Sequence, residues 1–329
     1  MIDFRYHVVS IVAVFLALTV GLVIGSSYLS KVAYDTLTGQ LSSLRGENQA
    51  LHNTQTELQA QIRDRDALIT ALGPQSVRDR LDGQSVAVVV LPGADRSVAD
   101  ATADLLVKAG ATVVGELYLK ASLLDGSQSA KLKTVTNAGD AIRLPTGNAT
   151  GGSPAVNLTP VPVRALADLA AAVTRESPVR TAGTVPARLS GDQATSIFSA
   201  YSDAGFADLK SSFTAAADLV VVIAPPPPSS SGQSAAAVVD NEYYLGLVKD
   251  LNPAKGTVIA GSASSVTPPG LIAAALKDDW TSRNVSTADS VDLAAGRIIT
   301  VFALAEEVTG KTGHYGLTGT ADGPLPNLN

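Results

Sequence analysis

The chain has 329 residues, of which 46% are hydrophobic and 16% are charged, and its formal net charge is −6. A mainly disordered chain is excluded, because disorder requires low hydrophobicity and high charge. The acidic balance argues against nucleic-acid binding, which requires a basic surface. The chain has no cysteine and a single methionine, Met1, so disulfides, iron–sulfur clusters and cysteine nucleophiles are excluded and copper(I) finds few soft ligands.

The first feature along the chain is a run without charge from Val8 to Leu29. A helix of this length can cross a bilayer, so the sequence predicts a transmembrane anchor at residues 1–30. The alternative is a cleaved signal peptide, whose apolar core is usually shorter and ends at an Ala-x-Ala site that is missing here. Arg5 and the terminal amine precede the run, whereas Lys31 follows it. The positive-inside rule then favours a single-pass protein of the cell membrane with an extracytoplasmic C-terminal domain.

Within this run, small residues recur at every fourth position, and their last pair forms a GxxxG motif. Small residues on one helix face allow two membrane helices to approach closely, so the motif suggests packing between two copies. The alternative is that Gly and Ala are simply common in such helices. The residues concerned are Ala13, Ala17, Gly21 and Gly25.

The next segment, residues 31–75, predicts a coiled coil that ends at Gly73-Pro74. Its seam alternates spacings of four and three, with leucine at every d position except Arg65 and two polar residues at a positions. This pattern is typical of a parallel two-stranded coiled coil, so we expect a homodimer. The alternative is one amphipathic helix that packs on its own globular domain. The expected interface residues are Leu37, Leu41, Leu44, Asn48, Leu51, Gln55, Leu58, Ile62, Ile69 and Leu72.

The two dimerisation signals do not share a helix face. When the heptad is counted backwards, Gly21 and Gly25 fall at b and f positions rather than on the a/d seam. Either the helix breaks near residues 25–27, or only one of the two faces is used.

From residue 85 the pattern changes to alternating strands and helices. Short β-branched runs predict buried strands, and the helical periods between them predict βαβ units and a parallel sheet. The expected fold class is therefore α/β, with one transmembrane helix, a coiled-coil helix and a mostly parallel doubly wound head at residues 80–312. Strands are expected at 85–91, 111–119, 219–224, 257–260 and 284–287, and helices at 95–109, 163–175, 191–204, 234–251, 269–277 and 291–308.

Three segments lack a regular pattern. Residues 139–162 are rich in Gly, Pro, Asn and Thr and are expected to form a loop. Pro225–Pro228 predicts a stiff polyproline segment after a strand. Residues 313–329 are expected to form a flexible tail.

No catalytic, cofactor-binding or metal-binding residues are predicted. The loop after the first strand, Pro92–Asp95, lacks the G-x-G-x-x-G of dinucleotide sites. The turn Gly261–Ser265 could bind an anion or simply cap the next helix. His314 is the single histidine outside the anchor and the coiled coil. The adjacent acids Asp278-Asp279 and Glu306-Glu307 are expected to lie on solvated helix faces.

Four parts of the sequence resemble an actinobacterial family named for the mycobacterial copper transport outer membrane protein, and the resemblance covers essentially the whole chain. They are the opening MIDFRYHVVSIVAVFLALTVGLVIGSSYLS, the leucine-seam segment after it, the strand and loop SVAVVVLPGAD, and the ending VDLAAGRIITVFALAEEVTGKTGHYG. The resemblance implies copper homeostasis and an envelope location. It also implies a coiled-coil envelope protein that acts with a membrane-protein partner in septal cell-wall remodelling during cell division.

Three classes of function therefore remain. The anchor, the seam and the lack of a predicted site favour a non-enzymatic envelope scaffold or regulator. The resemblance alone supports a copper transport or copper homeostasis component. The fold class alone, by analogy, allows an enzyme in the head.

Overall fold

The structure, a computed structural model, describes residues 4–143, 159–176, 188–229, 231–252, 254–319 and 321–326. The chain divides into two compact units, Met1–Arg65 and Asp66–Asn329. The α-helices are α1 (Phe4–Ser76), α2 (Arg96–Lys108), α3 (Ser129–Arg143), α4 (Val161–Thr174), α5 (Gly191–Asp203), α6 (Ser231–Leu251), α7 (Leu271–Lys277), α8 (Thr281–Asn284) and α9 (Ala294–Glu307). The strands are β1 (Ser85–Val90), β2 (Thr112–Leu119), β3 (Ala207–Ser211), β4 (Leu219–Ile223), β5 (Gly256–Ala260), β6 (Ser286–Ala288) and β7 (His314–Tyr315).

The strands of the second unit, hereafter the head, form one sheet. Their order is β3-β2-β1-β4-β5-β6-β7, and every neighbouring pair is parallel except β2 and β3. The chain leaves β1 toward β2 on one side and leaves β4 toward β5 on the other. The carboxyl ends of β1 and β4 therefore form the topological switch point of the sheet. The expected α/β fold with a mostly parallel sheet is confirmed.

Two apolar cores cover the two faces of the sheet. On one face, α4, α5, α6 and α7 pack on alternate residues of the strands, such as Val89, Val222 and Ile259. On the other face, α2 and α9 pack on the intervening residues, such as Val88 and Val221. Burial on both faces explains why these strands are continuous apolar runs rather than alternating ones.

The head begins earlier than the expected residue 80. The side chain of Val77 is fully buried in the core beneath α9, and the Asp66 carboxylate accepts a hydrogen bond from the backbone N–H of Ala294. Ala294 is the first residue of α9, whose N-cap residue Leu293 offers no side-chain acceptor. Asp66 thus satisfies one of the free N–H groups at this helix end.

Helix α1 differs from the expectation at its C-terminal end, because it continues past Gly73-Pro74 to Ser76. It runs through residues 25–27 without a break, so the alternative in which the helix breaks there is wrong. Pro74 lies in the last turn, and the helix ends with the backbone N–H of Val77 donating to the carbonyl of Gly73. A proline this close to the end stops the helix within one turn rather than at its own position.

Four elements of the head were not predicted, and one of them is the short helix α8. Helix α3 occupies part of the expected loop at 139–162, of which residues 144–158 lie outside the described residues. Strand β3 pairs antiparallel with β2 at the sheet edge. Strand β7 pairs with β6 inside the expected flexible tail, where the N–H of Asp322 also donates to the carbonyl of His314. The tail prediction is therefore wrong at its start.

Candidate functional site

One helical segment of the described chain is long and apolar enough to cross a membrane. Tyr6–Gly25 has a mean hydropathy of 2.8 and none of it is buried. Within it, Ala13 and Ala17 are exposed, and a Cβ added at Gly21 or Gly25 would meet no atom within 4 Å. The small-residue face is thus open, and its pairing with a second helix stays a prediction.

The apolar side chains of the heptad seam are exposed along α1. Leu37, Leu41, Leu44, Leu51, Leu58, Ile62 and Leu72 are between 50% and 70% exposed, and Ile69 is half-buried. The polar a residues Asn48 and Gln55 are exposed as well. The a/d positions therefore form an apolar stripe that contains three exposed polar residues, Asn48, Gln55 and Arg65. A stripe of this width is typical of a helix that packs against a second helix.

A network of ion pairs closes the surface between β2 and β3. The Lys120 ammonium lies 2.7 Å from the Asp208 carboxylate, and the Lys210 ammonium lies 3.0 Å from Asp100 and 3.3 Å from Glu116. The hydrogen bond from Lys210 lowers the pKa of Asp100. Because each of these ammonium groups has an acidic partner, this surface is a structural ion network rather than an anion site.

The turn after β5 forms its own hydrogen bonds. The hydroxyls of Ser262 and Ser264 lie 2.9 Å apart, and the Ser265 hydroxyl donates to the carbonyl of Pro225 at 3.4 Å. The N–H of Gly261 donates to the carbonyl of Ala288. These contacts support the interpretation as a polar turn over the interpretation as an anion cradle.

Both ring nitrogens of His314 are engaged. Its Nε2 lies 3.0 Å from the carbonyl oxygen of Ser282, which can only accept, so we assign the proton to Nε2. Its Nδ1 then accepts from the Thr287 hydroxyl at 3.1 Å. In the described part of the chain, no three His, Asp or Glu residues are grouped as metal ligands would be. A copper ion could bind His314 only by displacing one of these partners.

The expectation for Glu306-Glu307 is wrong, because both side chains are buried. The N–H and hydroxyl of Ser286 donate to Glu307 Oε1 at 2.9 and 2.6 Å, and the Tyr315 hydroxyl donates to Glu306. Strands β6 and β7 cover this end of α9. Neither the helical period nor the composition of the sequence could predict that these strands bury the two glutamates. Burial raises the pKa of Glu307 to about 7, although the two hydrogen bonds from Ser286 act in the opposite direction and lower it.

In the other acidic pair, the Asp278 carboxylate forms an ion pair with the Lys249 ammonium at 2.8 Å.

The switch point of the sheet holds an open cleft of about 330 Å³. Its walls come from the loops after β1 and β4 and from the side of α6. The sequence predicted only a stiff segment at Pro225–Pro228 and no role for Asp240, which lines the same cleft. The proline run was the one signal in the sequence that could have marked this cleft.

Comparisons with known proteins match nearly the whole length of this chain. The family model described as "Copper transport outer membrane protein, MctB" matches residues 1–326. Proteins named copper transporter MctB from Mycobacterium bovis and Mycobacterium tuberculosis are 28% identical over 345 residues, covering 99% of this chain and 98% of theirs. The protein of that name from Mycobacterium leprae is 28% identical over 96% of both chains. The chain therefore belongs to the MctB family of copper transport outer membrane proteins.

Proposed function

We propose that this protein is a non-enzymatic, single-pass membrane-anchored component of copper homeostasis in the cell envelope. It acts as a scaffold or regulator: paired α1 helices hold the head, and the head contacts a membrane-protein partner. The family match along the whole chain supports the copper role. The apolar helix at Tyr6–Gly25 supports the anchor.

The observation that carries the scaffold proposal is the exposed apolar stripe on α1. Its leucines recur at d positions over several heptads and are at least half exposed in the single chain. Covering them with a second copy removes this apolar area from water, which is favourable in proportion to the area buried. Asn48 and Gln55 then face their counterparts across the seam, which favours two parallel strands in one register.

Copper is the cargo of the system in this proposal rather than a resident group of the chain. The sequence contains no Cys and no Met after Met1, whereas copper(I) prefers thiolate and thioether ligands. Both nitrogens of His314 already have partners. Copper handling therefore rests on a partner that this protein organises.

The orientation in this proposal rests on the charge next to the apolar helix. We place the coiled coil and the head outside the cytoplasm, because Arg5 precedes the span and the positive-inside rule favours cytoplasmic positive charge. The implied role in septal cell-wall remodelling would use the same assembly with a different partner, and the family's copper function supports it less directly.

The proposal predicts that cells lacking this protein tolerate less copper than the parent strain. Full-length protein should restore tolerance, whereas the double variant Leu51→Ala/Leu58→Ala should not, because its anchors no longer pair. The matched control Gln49→Ala/Thr56→Ala changes exposed positions on the opposite face of α1 and should restore it. Growth and cellular copper content at increasing copper concentration check this.

Two outcomes would contradict the proposal. Unchanged copper tolerance in cells lacking the protein would remove the copper role. Full restoration by Leu51→Ala/Leu58→Ala, at equal membrane levels of protein, would show that pairing through the seam is not needed.

A further inference from the structure

The cleft at the switch point has an unusual wall for this fold class. It opens where β1 and β4 end, between the turn Pro92-Gly93, the run Pro225–Pro228 and the side of α6. Open α/β sheets bind their ligands in this position. Its volume, about 330 Å³, is that of a small-molecule site.

The wall is poor in hydrogen-bond donors. Phosphate sites in such crevices use backbone N–H groups, but four consecutive prolines supply none. The Asn241 amide nitrogen already donates to the carbonyl of Pro269 at 2.7 Å, and the Gly270 N–H donates to the carbonyl of Thr267. The wall is therefore mainly apolar ring surface, with the Tyr244 hydroxyl and the Asp240 carboxylate as its polar side-chain groups besides Asn241, and this composition disfavours a nucleotide or phosphate.

Asp240 is the charged residue among the described residues that line the cleft. It is half-buried, and no described side chain forms a hydrogen bond or ion pair with its carboxylate. Burial raises the pKa of Asp240. Burial, together with the Asp240 charge, also raises the pKa of neighbouring Tyr244. A carboxylate held beside apolar rings without a partner is complementary to a positively charged donor.

We propose that this cleft binds a small ligand that joins an apolar body to a protonated amine. The apolar body packs on the rings of Pro92 and Pro225–Pro228, and the ammonium donates to the Asp240 carboxylate. This binding role is independent of the seam, the anchor and the copper function.

The test compares three probes that share one apolar body: 2-phenylethylammonium, 2-phenylethanol and phenylacetate. Calorimetric titrations use the full-length chain in a neutral detergent, with protein-free micelles as the reference. The ammonium probe should bind about tenfold more tightly than the alcohol, because hydrogen bonds to charged groups exceed neutral ones by this order. Phenylacetate should bind more weakly still.

Variants assign the effect to the cleft. Asp240→Asn should abolish the preference for the ammonium probe, whereas Glu242→Gln, at an exposed position of the same helix, should leave it unchanged. Ala237→Phe, which fills the cleft, should weaken binding of both the ammonium and the alcohol. Equal binding of all three probes, equal effects of the two acid variants, or no binding of the ammonium probe at millimolar concentration would each overturn the proposal.

Discussion

Replacing Leu51 and Leu58 together with Ala is expected to raise the dissociation constant of the α1 dimer about a thousandfold or more. Each Leu→Ala change in a packed core costs about 2–5 kcal/mol, and each 1.4 kcal/mol is tenfold in affinity. Both side chains are at least half exposed in the single chain, so their truncation should lower the folding stability of one copy only slightly. Sedimentation equilibrium on residues 31–329 measures the effect.

The control for this experiment is Gln49→Ala/Thr56→Ala, which removes polar side chains from b positions and should leave the dimer intact. Residues 66–329 alone should be monomeric. This shorter fragment starts at Asp66 because the Asp66 carboxylate binds the first N–H of α9. If residues 31–329 are monomeric at tens of micromolar, the seam does not pair two copies.

Replacing Glu307 with Gln is expected to stabilise the head at pH 8 by about 3 kcal/mol, because its pKa rises from 4.5 to about 7 on folding. Between these values the folded chain holds a proton that the unfolded chain has lost. Wild-type stability should therefore fall as the pH rises from about 4.5 to 7 and then level off. The side-chain oxygen of Gln can still accept the hydrogen bonds that Ser286 donates, and the neutral side chain avoids the cost of burying a charge.

Urea unfolding monitored by the fluorescence of Trp280, the single tryptophan of the chain, measures this effect in the head. Glu242→Gln provides the matched control, since Glu242 is exposed, and its pH profile should follow the wild type. A Glu307→Gln profile that parallels the wild type between pH 5 and pH 8 would contradict a buried carboxyl with a raised pKa.

The sequence predicted the parts of the head that depend on local pattern. Strands β1, β4 and β5 are buried on both faces, so their sequences are continuous β-branched runs. Such runs predict strands without any information on tertiary contacts. Helix α2 begins at Arg96 after the cap residue Asp95, whose side chain accepts from the Ser97 N–H at 2.8 Å. The residues that specify each of these elements lie within a few positions of each other, so the local sequence is enough to predict the element.

The elements that escaped prediction depend on distant contacts. Gly139 suggested a loop, but it lies inside α3, where a Cβ would overlap the Asp168 carboxylate of α4. Strand β3 has a polar sequence because it is an edge strand held by β2. The cleft and its Asp240 also arise from segments far apart in the chain, which is why composition and motifs did not mark them.

The central claim is that two α1 helices pair in parallel along the seam. Because the chain has no cysteine, single cysteines can be introduced one at a time into the full-length protein in its membrane. In a parallel pair, each a position faces its own counterpart and lies within disulfide reach, whereas f positions face away. Asn48→Cys and Gln55→Cys occupy a positions, and Gly46→Cys and Asn53→Cys occupy f positions.

Mild oxidation of membranes followed by non-reducing electrophoresis decides the question. We expect covalent dimers from Asn48→Cys and Gln55→Cys and monomers from Gly46→Cys and Asn53→Cys. Cross-linking that is equal at all four positions, or absent at both a positions, would contradict it.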